Sequence, residues 1–185
     1  MNIEAIRDRI PDYARDIRLN LGSVLTTQGA PGLGEAQIWM TAFASAIASR
    51  NATIVAAIES AASQKLDAAQ LNAARTAAAL MGMNNVYYRF THLVEDDEYG
   101  RLPARLRMNA MANPGIDKLD FELVSLAVSA INGCGRCVVA HERQLNGHGF
   151  TREAVQSAVR IAAVIHAAAG VLDYEEGRGA IAAAA

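Results

Sequence analysis

The chain is poor in most of the residues that announce a function. It holds two cysteines, four prolines and one tryptophan in 185 residues, and aromatic side chains make up only 5%. Both cysteines fall together, at Cys134 and Cys137, so there is no second closely spaced ligand pair of the kind that completes a four-ligand zinc site. Basic charge is not in excess: the net charge is −2 and the pI is near 6.1. No Lys/Arg cluster is interleaved with aromatics, so nucleic acid is not an expected partner. The beginning, Met1-Asn2-Ile3-Glu4 followed by Arg7, Asp8 and Arg9, does not read as a signal peptide. The longest uncharged apolar run, Ile161 to Leu172, is about 12 residues, short of the roughly 18 that span a bilayer. A cytoplasmic protein without a membrane segment is expected, and in a reducing cytosol a C-x2-C pair is more often catalytic than a permanent staple.

What is present points to helices. Hydrophobic residues make up 52%, enough for one compact domain over 1–185 with a sizeable core. Alanine is abundant, β-branched runs are short, and apolar residues recur at three and four rather than two, which predicts an all-α fold. Residues 1–28 read as an N-terminal helical segment marked by Ile3, Ile6, Ile10, Tyr13 and Ile17 and adjusted or broken at Pro11. Residues 29–34, with Gly29, Pro31, Gly32 and Gly34, read as a flexible connection. Helices are expected over Glu35–Ser49, over Ala52–Gln64 with Asn51 as cap, and from Asp67 toward Val94. The acidic group Glu95–Glu98 reads as a solvated turn. Pro103 is expected to start a helix ending near Asn113, before Pro114 and Gly115 break the chain. Thr151 is a plausible N-cap for the last long helix, whose tail after Tyr174 is expected to fray or pack on a neighbouring subunit. The stretches Asn72–Phe90 and Phe121–Val139 hint at an internal duplication, with Met81, Met83, Tyr87 and Tyr88 lining a degenerate copy, a subunit contact or simply the core. His166 reads as a satisfied interior histidine, and His92 and His148 receive no role.

The chemistry is concentrated in one segment, E-x11-C-x2-C-x3-H, from Glu122 through Cys134 and Cys137 to His141. On a helix starting near Cys134, the two cysteines and His141 fall within a sector of roughly 60°. A thiolate near a helix N-terminus is stabilised by unpaired N–H groups, and Asn132-Gly133 suits a tight break just before it. Residues 117–148 therefore read as a helix hairpin, with Glu122 and His141 each about 12 to 15 Å from the bend and able to meet across it. A carboxylate on one imidazole nitrogen leaves the other free to take a thiol proton, directly or through a water. By this reading Cys134, nearest the helix start, is the more exposed and more acidic thiol. Two plainer readings stand beside it. The cysteines can be small core residues, or they can hold zinc with His141 and a fourth ligand from Glu122 or His148.

With these residues placed, the chain resembles the AhpD alkyl hydroperoxidase family, within the carboxymuconolactone decarboxylase-like superfamily. The likeness extends over IPDYARDIRLNL, MGMNNVYYR, LRMNAMANPGIDKLDFEL and AVSAINGCGRCVVAHE. It implies an all-helical protein, typically a homotrimer, with the cysteines in a cleft near a subunit interface. It further implies an antioxidant peroxidase and disulfide adaptor. Electrons would come from dihydrolipoamide on a 2-oxoacid dehydrogenase acyltransferase, recharged by dihydrolipoamide dehydrogenase, and pass to a peroxiredoxin or an alkyl hydroperoxide. In that scheme Glu122 orients His141, His141 draws the proton from Cys137 through a water, Cys137 attacks peroxide, and Cys134 resolves the sulfenic acid. No haem, flavin or metal is implied. The resemblance thus gives peroxide attack to Cys137, leaving Cys134 for exchange with partners. Arg136, where a family member carries an accessory histidine, cannot shuttle protons, but its charge would lower both thiol pKa values. The 29–34 loop looks longer than the family norm. A lactone decarboxylase is the runner-up enzyme, and a redox-sensing or zinc-binding module is the non-enzymatic alternative.

Overall fold

The computed structural model describes residues 2–184. Among them are ten α-helices, one 3-10 turn and no strand, as the spacing of apolar residues requires. The order is α1 (Ile3–Arg9), the 3-10 turn Asp12–Ala14, α2 (Arg15–Val24), α3 (Glu35–Ser49), α4 (Ala52–Ala62) and α5 (Ala68–Leu93). Then come α6 (Asp97–Arg101), α7 (Asn109–Ala112), α8 (Lys118–Ile131), α9 (Gly135–Gly147) and α10 (Arg152–Ala184).

Caps set several of these boundaries. The Asn51 carboxamide oxygen accepts the Ile54 N–H at 2.8 Å, and Thr151 Oγ1 accepts the Ala154 N–H at 3.1 Å, as expected for both. Asp67 and Gln70 form a reciprocal box at the start of α5, with bonds of 2.8 and 3.0 Å. Helix α3 is apolar nearly all round and buries Ile38, Met40, Phe43 and its alanines, so it takes the centre, packed by α4, α5, α8 and α10. By composition alone α10 could cross a membrane, with a mean hydropathy of 1.6 over its most apolar window. However, 56% of that window is buried inside the protein, and α10 lies against α2, α3 and α8 as a core helix. Its far end is tied to α1 and α4 through Glu176, which accepts from Thr53 Oγ1 at 2.6 Å and Arg9 Nη2 at 2.9 Å. The Thr53 hydroxyl, followed by Asn51 and Arg9, holds the Glu176 carboxyl below its ordinary range against the opposing effect of burial.

Several expectations are corrected. The 29–34 segment is a packed loop: Ala30 and Leu33 are buried, and the Pro31 carbonyl accepts from Ser157 Oγ at 2.9 Å. Gly29 is required there, because a Cβ would stand 1.9 Å from the Ser23 carbonyl oxygen. No long helix follows Pro103. From His92 to Asn113 no residue is fully buried, and Met111 alone of the segment packs on the core, too little burial to hold a long helix by propensity. Only the single turn α7 forms, after a left-handed Arg105 at φ 52°. The acidic group is exposed as expected, but Asp96 caps a short helix, α6, rather than closing a simple turn. From Glu175 to Ala184 the chain is helical, which removes the first of the two expectations for the tail, and the last alanine lies outside the described residues. His166 is exposed, with Nδ1 3.2 Å from Ser49 Oγ, so it is not an interior histidine. Finally, 72–90 lies within one unbroken helix while 121–139 contains a break, so the backbone does not repeat between the two stretches.

Candidate active site

The site is built on the turn between α8 and α9. Gly133 has φ +67°, a left-handed conformation that strains any residue with a Cβ. Around it the Cys134 N–H donates to the Ser129 carbonyl at 3.1 Å and the Gly133 N–H to the Ala130 carbonyl at 3.1 Å. This 6→1 and 5→2 pair is a Schellman motif, which ends α8 and reverses the chain within two residues. The hairpin expected over 117–148 thus rests on Asp117, whose carboxylate caps α8 at the Leu119 and Asp120 N–H groups, and on Gly133 at the bend. Asp120 in turn accepts from Gln37 Nε2 at 2.7 Å, which docks the start of α8 on α3. Burial raises its carboxyl pKa, and the Gln37 hydrogen bond opposes the rise.

Cys134 is the N-cap residue of α9, and its Sγ accepts the Cys137 N–H at 3.3 Å, where a serine or aspartate oxygen often sits. The two cysteines form a disulfide with Cα atoms 5.3 Å apart. The structure is therefore the oxidised state of the pair. The expected difference in exposure is reversed. Cys134 is fully buried while Cys137 is 7% exposed. The helix start is a good electrostatic position for a thiolate, but here it lies under the Schellman turn, and Cys137, one turn on, reaches the surface cavity.

Across the hairpin, His141 Nδ1 and Glu122 Oε2 are 2.5 Å apart, although 19 residues separate them in sequence. With Glu122 ionised, Nδ1–H donates to it and Nε2 is left as the acceptor. His141 is buried, and Glu122 is one-fifth exposed. Cys137 and His141 line one cavity of about 250 Å³, so thiol and imidazole share a space. His148, the other candidate fourth zinc ligand, is exposed and donates from Nδ1 to the Gln144 carbonyl at 2.8 Å.

The remaining wall of the cavity comes from elsewhere in the chain. Met81, Asn84 and Tyr88 project from α5, and Met108 and Met111 from the irregular segment around α7. In the sequence Met81 and Tyr88 fit a core, a contact or a degenerate site alike, and no pattern singles out Asn84, Met108 or Met111 as wall residues. Besides lying in the family-like segment MGMNNVYYR, positions 81, 84 and 88 carry only the i, i+3/i+4 spacing, which an ordinary core stripe also shows. Helix α5 also clamps the bend. Asn85 Nδ2 donates to Ser129 Oγ at 2.9 Å, Asn132 Nδ2 donates to Asn85 Oδ1 at 2.9 Å, and Arg89 Nη1 donates to the Asn132 carbonyl at 2.5 Å. Arg136, between the cysteines, turns toward α5: Nη1 donates to Thr91 Oγ1 at 3.2 Å, and the guanidinium lies 5.6 Å from the Tyr88 ring centroid. Arg136 and Ala140 also border a second cleft of about 500 Å³ with His92, Arg143 and the acidic residues 95–97 on its walls.

The carboxymuconolactone decarboxylase family model matches residues 97–174, the part that contains both α8 and α9. Over the whole chain the likeness is closer to proteins named alkyl hydroperoxide reductase AhpD. One from Rhodospirillum centenum is 57% identical over 175 residues, covering 95% of this chain and 92% of its own. Another from Frankia alni is 56% identical over 187 residues and covers all of both chains. A third from a Bradyrhizobium species is 53% identical over 94% of each. Identity of 53–57% over nearly the whole of each chain shows that the chain belongs to the AhpD family.

Proposed function

We propose that this protein is an antioxidant thiol peroxidase and disulfide adaptor that reduces alkyl hydroperoxides, a partner peroxiredoxin, or both, through a Cys134–Cys137 dithiol/disulfide cycle. The observation that carries the reading is the pairing of Glu122 with His141 at 2.5 Å beside a cavity that His141 shares with Cys137. Membership of a family whose relatives are named alkyl hydroperoxide reductases supports it.

In the cycle, Glu122 fixes the His141 tautomer and Nε2 takes the Cys137 thiol proton, through a water if the two are not in direct contact. The Cys137 thiolate attacks the terminal peroxide oxygen. The O–O bond breaks, Cys137 becomes a sulfenic acid, and the departing alkoxide takes the proton from His141 to leave as an alcohol. Cys134 then displaces hydroxide from the sulfenic sulfur, and its own proton completes a water. The product is the disulfide present in the structure. Two electrons from dihydrolipoamide, by thiol–disulfide exchange, restore the dithiol, and no bound cofactor takes part. The lipoyl group would be carried by a 2-oxoacid dehydrogenase acyltransferase and recharged by dihydrolipoamide dehydrogenase. The protein would act in the cytoplasm as a homotrimer, with residues 1–185 forming a single domain. Arg136 would modulate the pair by its charge. A lactone decarboxylase would leave both cysteines and the disulfide without a task.

The test combines the protein with dihydrolipoamide, its dehydrogenase, NADH and an alkyl hydroperoxide, with and without a peroxiredoxin. NADH consumption that depends on the protein and disappears in Cys137→Ser is the expected result. Consumption unchanged by that substitution would overturn the mechanism.

A further inference from the structure

The bend between α8 and α9 sets two helix ends of opposite polarity against each other. Cys134, as the N-cap of α9, sits where unpaired N–H groups favour a thiolate, while the carbonyl end of α8 at Asn132, two residues earlier, disfavours one. The Schellman bonds satisfy the Ser129 and Ala130 carbonyls, and the Asn132 N–H donates to the Val128 carbonyl at 3.0 Å. The Asn132 carbonyl receives no backbone N–H among the described residues. Its donor is Arg89 Nη1, at 2.5 Å, reaching over from α5. No carboxylate among the described residues lies within ion-pair distance of Arg89. Its positive charge is therefore uncompensated at the negative end of α8. Cys134 is fully buried and Arg89 is half-buried, so water and salt screen the field between them less than they would at the surface.

We infer that Arg89 is a positioning residue for the redox pair: its guanidinium offsets the carbonyl end of α8 beside Cys134, favours the Cys134 thiolate, and so shifts the equilibrium of the pair toward the dithiol. The inference rests on the dithiol/disulfide cycle above and adds a residue that sets its reductive half. Cys137 borders the cavity and is the sulfur that an incoming thiolate reaches. The donor sulfur bonds to Cys137, the Cys134–Cys137 bond breaks, and its electron pair leaves with Cys134. The donor's second thiol then displaces Cys137, which takes up a proton, and the donor becomes the disulfide. Two electrons and one proton stay on the protein, and the donor's other proton goes to solvent. A leaving thiolate of lower pKa departs faster and stabilises the reduced form, so one charge acts on both rate and equilibrium. Two other charged groups stand near the pair. Arg136 is exposed and turned to Thr91 and Tyr88, and the Glu122–His141 pair lies across the hairpin. Of these charges, Arg89 is the one bonded to the backbone of the bend.

Full-length protein equilibrated at neutral pH with set ratios of reduced and oxidised dithiothreitol tests this, with the dithiol fraction read by acid quench, alkylation and mass spectrometry. Arg89→Gln keeps an N–H donor and loses the charge, and its equilibrium constant should move about tenfold toward the disulfide, about 30 mV for a two-electron couple. In a Cys137→Ala background the same substitution should raise the pH at which the Cys134 thiolate forms, followed by its ultraviolet absorbance, by about one unit. Arg89→Lys keeps the charge and should stay within about threefold of the wild-type equilibrium. Asn85→Ala loosens the same bend without removing a charge and should also stay within about threefold. Arg89→Met, apolar and of similar length, reads the same loss of charge if Arg89→Gln does not fold. A neutral variant with the wild-type equilibrium, or an Arg89→Lys or Asn85→Ala shifted as far as the neutral variant, would overturn the role of the charge and leave the peroxidase reading standing. A wild-type pair that dithiothreitol does not reduce would overturn both.

Discussion

Helix α5 and the α8–α9 hairpin lie side by side, yet one runs unbroken for 26 residues and the other turns back on itself at Gly133. The break creates what an unbroken helix lacks. It leaves a new helix N-terminus with a sulfur as its cap, and it brings two residues 19 positions apart, Glu122 and His141, into hydrogen-bond contact. The unbroken helix contributes rigidity. It offers a fixed wall at Met81, Asn84 and Tyr88 and holds the bend through Asn85 and Arg89. The sulfurs and the imidazole thus lie on the element that bends, and the side chains that hold the bend lie on the one that does not.

Substitutions on the two elements should separate along that line. The largest effect belongs to the hairpin. Glu122→Gln keeps the shape and an acceptor for His141 but removes the charge that favours the proton-accepting tautomer, and peroxide-driven disulfide formation should fall by about 100-fold. Thermal denaturation should place its stability within about 1 kcal/mol of wild type, since one hydrogen bond to an ionised group has become a neutral one. A Glu122→Gln variant with the wild-type peroxide rate would remove the hairpin's claim to the chemistry. The smaller effect belongs to α5. Asn85→Ala strands the buried Ser129 hydroxyl and the Asn132 amide and should cost about 2 kcal/mol of stability in denaturant unfolding. Its rate per folded molecule should fall far less than that of Glu122→Gln. If Asn85→Ala were neutral for stability, α5 would not be clamping the bend.

The two elements also differ in how much of them the sequence revealed. The hairpin was legible because its parts are close along the chain and its geometry is local: an Asx cap, a glycine break and a fixed helical rise place Glu122 opposite His141 by counting. The extent of α5 was legible for the same reason, through Asp67 and the long apolar period. Its role was not, because Asn84, Met108 and Met111 reach Cys137 only through tertiary packing, and a methionine at helical spacing looks the same in a core and in a pocket. Exposure of the cysteines was misread for a related reason. Position at a helix start sets the electrostatics of Cys134, but burial depends on what packs over that start. The helix expected after Pro103 is absent because the segment buries too little apolar surface to add to propensity. The resemblance to the AhpD family, carried by whole segments rather than by single residues, held over the entire chain.

The most direct measurement is to trap the first product of the peroxide reaction. Reduced Cys134→Ser, mixed with one equivalent of cumene hydroperoxide and a sulfenic-acid-selective probe, should carry the probe on Cys137 and release one equivalent of the alcohol. Absence of label at Cys137, with the peroxide still consumed, would contradict the thiol mechanism at its first step.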